Sequence, residues 1–257
     1  MLTNLKKLLF LVMILSVAGI ACGLDLGSAL PFMPTKTNTP LPASTATPTP
    51  TLPPKPESAS EEFQIEVLEN ETSVFTDKIL GYSVVFPAEW LVIPMGSEID
   101  MELFDLPEED LPQDLLDLIE ASRQQAGIRL LAMDYTFRYS DEERSIANLN
   151  VIFDQDQIYL EQELQDLLDD NVEAMPTLVP DSRVTYQALQ TNAQGVEYAK
   201  MIVNHPKETF GVPLSQVFML VKLNDGLLVI TGTVQEEMYT DVESSFQRIF
   251  NSLEFIP

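Results

Sequence analysis

The sequence predicts an α+β domain, a mostly antiparallel sheet with packed helices, behind an export segment and an extended linker. Three observations carry this. From residue 79 onward, stretches with apolar residues at every second position alternate unevenly with stretches of helical spacing. The strand-like stretches are joined by turns too short for parallel crossovers, so neighbouring strands run antiparallel. Residues 1–60 show no such periodicity and are set apart by composition.

The N-terminal segment opens with Lys6 and Lys7, and residues 8–21 follow as an uncharged, mostly apolar run. Gly19-Ile20-Ala21-Cys22 closes it with small residues around the thiol. A basic start, a short apolar stretch and a small-residue end mark a secretory signal. A spanning helix needs about 20 apolar residues, and this run of about 14 is interrupted by Ser16 and Gly19. A cleaved signal therefore fits better than an uncleaved anchor, and either places the following chain outside the cytoplasm. Cys22 is the only cysteine, so no internal disulfide forms, and an odd thiol in an exported chain asks for another use. Gly19-Ile20-Ala21-Cys22 resembles the lipobox of bacterial lipoproteins, with Gly19 where that motif usually has leucine. The resemblance implies that residues 1–21 are a lipoprotein signal peptide and that Cys22 is the lipidated first residue of the mature chain. It implies several acyl chains (palmitate-like) on that residue. Stable anchoring takes two or more such signals. The expected location is the cell membrane, lipid-anchored, on the extracytoplasmic side.

Residues 22–60 read as a disordered linker. Residues 35–56 are dominated by Thr, Pro, Ser and Ala, with Thr47-Pro48-Thr49-Pro50-Thr51 at the centre. Proline fixes φ and lacks an N–H, which excludes the stretch from ladders and helix interiors. An extended, partly polyproline-like spacer rises about 3 Å per residue and reaches several tens of ångströms from the bilayer. Ser and Thr among prolines is also the composition of an O-glycosylated stalk.

Residues 61–257, roughly 195 of them, suffice for one ordinary core, and no second linker divides them. The formal charge of the whole chain is −26, and removal of Lys6 and Lys7 with the signal makes the mature form more acidic. Such a surface repels phosphate backbones, so nucleic acid is not an expected partner. It repels anionic headgroups too, which leaves the lipid on Cys22 as the membrane contact. Cations and basic proteins remain as attracted partners, beside plain solubility as the reason for the charge.

The elements follow in order. Tyr82, Val84 and Phe86 alternate in a short strand that Gly81 introduces and Pro87 stops. Residues 98–125 are acidic and Leu-rich, with Leu111, Leu115, Leu118 and Ile119 at helical spacing and Pro112 near a helix start. Residues 129–139 alternate as a strand through Leu131, Met133, Tyr135, Phe137 and Tyr139. Residues 145–153 alternate through Leu149, Val151 and Phe153, and a hairpin around residues 140–143 joins the two. Residues 154–174 carry the stripe Ile158, Leu160, Leu164, Leu167, Leu168 and Val172, with Asp154 or Asp156 as cap and Pro176 and Pro180 as terminators. Strands are expected over residues 183–189 and 196–203, with residues 192–195 as a tight turn. Residues 214–223 and 227–234 form another pair around Asn224-Asp225-Gly226. This last pair is continuously apolar in places, as central strands are. A closing helix over 236–253 presents Met238, Val242, Phe246, Ile249, Phe250 and Leu253.

Three of these pieces resemble PsbP/Mog1/DcrB-like domains. The opening Gly81-Tyr82-Ser83-Val84-Val85-Phe86-Pro87-Ala88-Glu89-Trp90 is similar to their start. Leu227-Leu228-Val229-Ile230-Thr231-Gly232 is similar to a late core hairpin. Phe246, Ile249 and Ser252 followed by Leu253-Glu254-Phe255 is similar to a closing helix and last strand. The resemblance covers residues 75–257 and implies an α/β/α sandwich. It also implies a mostly non-enzymatic role, since such domains serve as photosystem accessory subunits, a partner of a small GTPase, or bacterial lipoproteins of unclear role. The acidic insert 98–125 departs from the pattern. Physically, Gly81 permits a tight entry turn and Trp90 folds back as a large core plug.

No catalytic, cofactor-binding or metal-binding residue is assigned, and the one site residue is Cys22, for lipidation. His205, the only histidine, sits in Asn204-His205-Pro206 and reads as an ordinary loop histidine at a strand end. One imidazole makes no histidine-rich zinc site, and no Gly-x-Ser-x-Gly elbow accompanies it. Glu108-Glu109-Asp110 and Asp169-Asp170 offer oxygens to calcium, yet neither fits a spaced calcium loop, so solvated acidic faces are expected. Met95, Met101, Met133, Met201, Met219 and Met238 are dispersed, as core fillers are. The expected function is an accessory or protein-binding module, not an enzyme, with insert 98–125 facing the partner. The alternatives are a lipoprotein that binds a small molecule or cation, and an atypical hydrolase using paired carboxylates.

Overall fold

A computed structural model of the chain describes residues 58–59, 61–95, 119–120, 122, 125–134 and 147–256. Among these residues, twelve strands fall into two antiparallel sheets. The smaller holds β1 (Ser58–Ala59), β2 (Phe63–Val67), β3 (Ser73–Asp77), β4 (Tyr82–Phe86) and β12 (Glu254–Phe255), in that order. The larger runs β5 (Trp90–Pro94), β6 (Ile128–Asp134), β7 (Asn148–Asp154), β11 (Leu227–Gln235), β10 (Leu214–Lys222), β9 (Glu197–His205), β8 (Arg183–Thr191). The helices among the described residues include α1 (Ile158–Glu161), α2 (Leu164–Leu178), α3 (Lys207–Phe210) and α4 (Tyr239–Ser252). The α+β class and the antiparallel pairing expected from the short turns are both present.

The larger sheet is covered on both faces, which explains its continuously apolar strands. In β10, Phe218 and Leu220 point to α2, while Val217, Met219 and Val221 point to the other side, toward α4 and the smaller sheet. In β11, Val229 and Ile230 divide the same way. Two cores thus share one sheet, and period-2 alternation places apolar residues in each. Burial of this kind stabilises by about 25 cal/mol per Å² of apolar surface.

Two glycines set the geometry. Gly81 adopts φ +64° and turns β3 into β4, donating its N–H to the Asp77 carbonyl at 2.9 Å. Gly232 lies in β11 directly under α4, where a Cβ would sit 2.7 Å from the Phe246 ring, so only glycine lets the helix approach this closely. Trp90 fulfils the plug expectation. It is fully buried at the start of β5, 5.9 Å from the Phe246 ring edge-on and 6.3 Å from Phe86.

Several expectations are corrected. The helix foreseen over 154–174 is two helices, because Gln162 and Glu163 are extended between α1 and α2. Leu160 consequently turns out to solvent, while Leu164, Leu167 and Leu168 pack on the sheet. Asp156 accepts the Ile158 N–H at 3.2 Å, close to the expected cap. Pro176 does not end α2. It lies in the last turn, where one lost hydrogen bond is tolerated, and Val179 closes the helix onto the Met175 carbonyl at 2.9 Å. Strands β2 and β3 were not among the expected elements, although Phe63, Ile65 and Val67 alternate. The insert 98–125 falls almost wholly outside the described residues, as do residues 135–146 with the expected hairpin turn.

A buried ion pair joins the two sheets. Asp77 at the end of β3 is fully buried and accepts Arg129 Nε at 2.7 Å and a second guanidinium nitrogen at 3.1 Å. It also accepts the N–H groups of Ile79 and Leu80 at 3.0 and 2.9 Å. The Arg129 guanidinium lies 4.6 Å from the centre of the Phe63 ring and 3.7 Å from Glu62. A buried charge so fully hydrogen-bonded is tolerated, and one stripped of its partner is not.

Candidate functional site

The single histidine is not in a loop. His205 is the last residue of β9, 1% exposed, and faces Leu214 across the β9–β10 pair. That register brings Gln216, two residues further along β10, within 2.8 Å of His205 Nε2. The Gln216 amide nitrogen donates to Thr233 Oγ1 at 3.2 Å, so its carbonyl oxygen faces the ring. An oxygen there only accepts, which puts the ring proton on Nε2 and leaves Nδ1 as an acceptor. Ser182 Oγ donates to Nδ1 at 2.7 Å, and Phe210 stands edge-on to the ring at 5.4 Å. Burial pushes the imidazole down to about 4, and the Gln216 bond opposes this only in part. The chain Ser182–His205–Gln216–Thr233 has the serine–imidazole distance of a hydrolytic dyad. All four residues are nonetheless buried, and the ring is neutral near pH 7. Its hydrogen bonds are satisfied along the row, which suits a core polar network.

A second feature is an open groove of about 680 Å³ at one end of the larger sheet, lined by Glu163, Leu164, Glu197, Lys222, Glu254 and Phe255 among others. Its lining is mixed rather than mostly apolar, and it sits at the strand ends rather than between helix and sheet. Glu254 accepts from Ser83 Oγ at 3.1 Å, and Lys222 Nζ donates to the Gln162 carbonyl. No group of three or more His, Cys, Asp or Glu side chains able to hold a metal ion occurs among the described residues.

The third feature is the edge strand β8. It pairs with β9 alone among the described strands, and most of its nine residues are exposed. Tyr186 and Leu189 are large apolar side chains left open there, at 39% and 38% exposure. Tyr186 lies on the α4 side, opposite Ile202, where it accepts from Gln190 at 2.7 Å. Gln190 in turn accepts from the Tyr198 hydroxyl at 2.6 Å. Lys200 Nζ reaches Gln247 Oε1 at 2.9 Å and stands 5.7 Å from the centre of the Tyr186 ring. Burial lowers the Lys200 ammonium below its ordinary value, with Glu243 pulling the other way. On the opposite face α2 packs against β8 and β9. That helix carries Asp166, Asp169, Asp170 and Glu173 and no basic residue.

No protein-family model and no curated protein matches the chain. Solved structures do. The chain is similar to cyanobacterial PsbP (CyanoP) from Synechocystis sp. PCC 6803, at 11% identity and a TM-score of 0.44, over 77% of this chain and 97% of that one. It is similar to the Ran-binding protein Mog1p of Saccharomyces cerevisiae, at 11% identity and a TM-score of 0.40, over 72% and 95%. It is also similar to LpqN, involved in cell envelope biogenesis of Mycobacterium tuberculosis, at 10% identity and a TM-score of 0.39, over 68% and 83%. Two of these names are those of the group whose domain the opening and closing motifs resemble. Likenesses this weak say nothing of what the chain does.

Cys22, the one residue assigned from sequence, lies outside the described residues, as do Glu108, Glu109, Asp110 and Met101. Asp169 and Asp170 are on α2, where they accept from Gln165 and Gln162, each at 2.9 Å. Met133 and Met201 belong to one core and Met219 to the other, so the methionines fill rather than cluster. Ser182 and Gln216 were not singled out from sequence. Strand register alone brings them to His205, and no motif in the sequence marks them.

Proposed function

We propose that this chain is a lipid-anchored, extracytoplasmic accessory module that binds a protein and has no catalytic activity of its own, built on a PsbP/Mog1-like α+β domain. The observation that carries the reading is where the domain spends its side chains. Both faces of the seven-stranded sheet are filled by packed cores, while a long strand at its edge stays open. Among the described residues the larger sheet offers an open edge, and standing surfaces of this kind serve docking. The lipobox-like end at Cys22 and the Thr/Pro-rich spacer support a tethered domain held clear of the bilayer.

A second reading has one observation in its favour. The 680 Å³ groove brings Glu163, Glu197 and Glu254 to one opening with Lys222, a mixed-charge lining that suits a small polar ligand.

The test uses the full chain in membranes. Cells fed an alkyne-tagged fatty acid should label the wild type and not Cys22→Ala, and the variant should leave the membrane fraction. Cross-linking on intact cells should give a discrete heavier species with one partner. Label retained by Cys22→Ala would defeat the anchor, and a chain that stays uncross-linked at every reagent length would defeat the docking role.

A further inference from the structure

Sheet edges are sites of unwanted pairing, and proteins blunt them by shortening, covering, or adding proline and charge. The four edges of the described sheets are treated unequally. β1 and β12 are two residues long. β5 is buried along its whole length and ends at Pro94. β8 is nine residues long, mostly exposed, and has neither proline nor lysine. A register shift between Val184 and Tyr186 disturbs its start, so the regular run is residues 186–191. About half of its residues turn their N–H and C=O groups away from β9, as ladder geometry requires.

The geometry points to β8 as the docking edge for an extended, basic peptide segment of a partner protein, which adds as a further antiparallel or parallel strand beside residues 186–191. This deepens the binding-module reading and rests on it. The occupant follows from charge and from the two faces of the strand. Leu189 lies on the α2 side of the sheet, opposite Ala199, and the helix that packs on that face carries four acidic residues and no basic one. The net negative charge on that side favours lysine or arginine at the peptide positions that point toward it. Tyr186 lies on the α4 side, where Lys200 is already taken up by Gln247 and the tyrosine ring. Peptide residues pointing that way are apolar or aromatic. A second copy of this chain is the weaker occupant, because it would bring acidic α2 against acidic α2 in a chain of net charge −26.

The test measures binding of the full chain in detergent to a nine-residue peptide alternating lysine and valine, by fluorescence anisotropy. Binding is expected, weakening with salt, and a glutamate–valine counterpart should not bind. Two further peptides are N-methylated on alternate amides, one set per strand edge. Methylating the edge that faces β8 should cost about tenfold or more in affinity, and methylating the other edge should cost nothing. Amide exchange should slow at residues 186–191 on binding. Equal loss from both methylated peptides, protection elsewhere, or no binding overturns the assignment. Protection at 186–191 that grows with chain concentration alone overturns it in favour of self-pairing. A partner cross-linked on cells away from β8 would overturn this inference while the docking role stands.

Discussion

His205 gives the sharpest quantitative expectation. Its ring is 1% exposed and is held neutral by burial, with a folded value of about 4 against an ordinary 6.5. In the unfolded chain the ring takes a proton as pH falls through about 6.5, and in the folded chain only near 4. Between those values the unfolded state holds more protons, so stability falls as pH falls. A difference of about 2.5 units is worth roughly 3 kcal/mol, at about 1.4 kcal/mol per unit. His205→Gln keeps an amide that reaches Gln216 and removes the titration. Urea unfolding of both proteins at pH 7, 6, 5 and 4 isolates the ring from the many carboxylates, since those are common to both. The wild type should lose roughly 3 kcal/mol relative to the variant across that range, and the difference should level off below pH 4. A difference that stays flat from pH 7 to pH 4 would refute the reasoning, because it would mean the ring protonates in place at no cost.

Two more substitutions probe how the layers are joined. Asp77→Ala leaves Arg129 without its bidentate partner and two N–H groups without an acceptor, so a loss of about 3–5 kcal/mol is expected in denaturant unfolding, and a loss under about 1 kcal/mol would show that the sheets hold together without the pair. Gly232→Ala drives a methyl group into Phe246 at 2.7 Å and should lower stability by about 1–3 kcal/mol, with Phe246→Leu in the same chain restoring part of it. A thermal melt unchanged by Gly232→Ala would mean α4 is free to lift from the sheet.

Much of the fold was legible because its strongest signals are periodic. Helix α4 and strands β7 to β11 lie where the apolar spacing puts them, within a few residues, β6 starts where expected, and α2 overlaps the second half of the single helix expected over 154–174. The continuous runs of β10 and β11 correctly read as central, since both faces of those strands are buried. The division into two sheets was not legible. It depends on β4 and β5, consecutive in the chain, going to different sheets, with β12 rather than β5 pairing with β4, and nothing local in Glu254 or Phe255 names that partner. The break at Gln162 was missed because Leu160 fits the helical stripe as well as Leu164 does, yet only the latter meets the sheet. The site was least legible. Ser182, His205 and Gln216 carry no motif and meet only through register. The openness of β8 depends on which strand comes last in the sheet, a property of the whole order rather than of residues 183–191.

The pairing of β12 with β4 also bears on when the domain is able to fold. The smaller sheet is completed by residues 254–255, and the core beneath it is filled by Phe246, Ile249, Phe250 and Leu253, all more than 150 positions along the chain from β4. Asn192 ties the β8–β9 turn to the same segment by donating to the Phe250 and Leu253 carbonyls at 3.2 and 2.7 Å. Contacts this distant along the chain form late. The smaller sheet and the core beneath it therefore stay open until residues 239–255 have docked against β4.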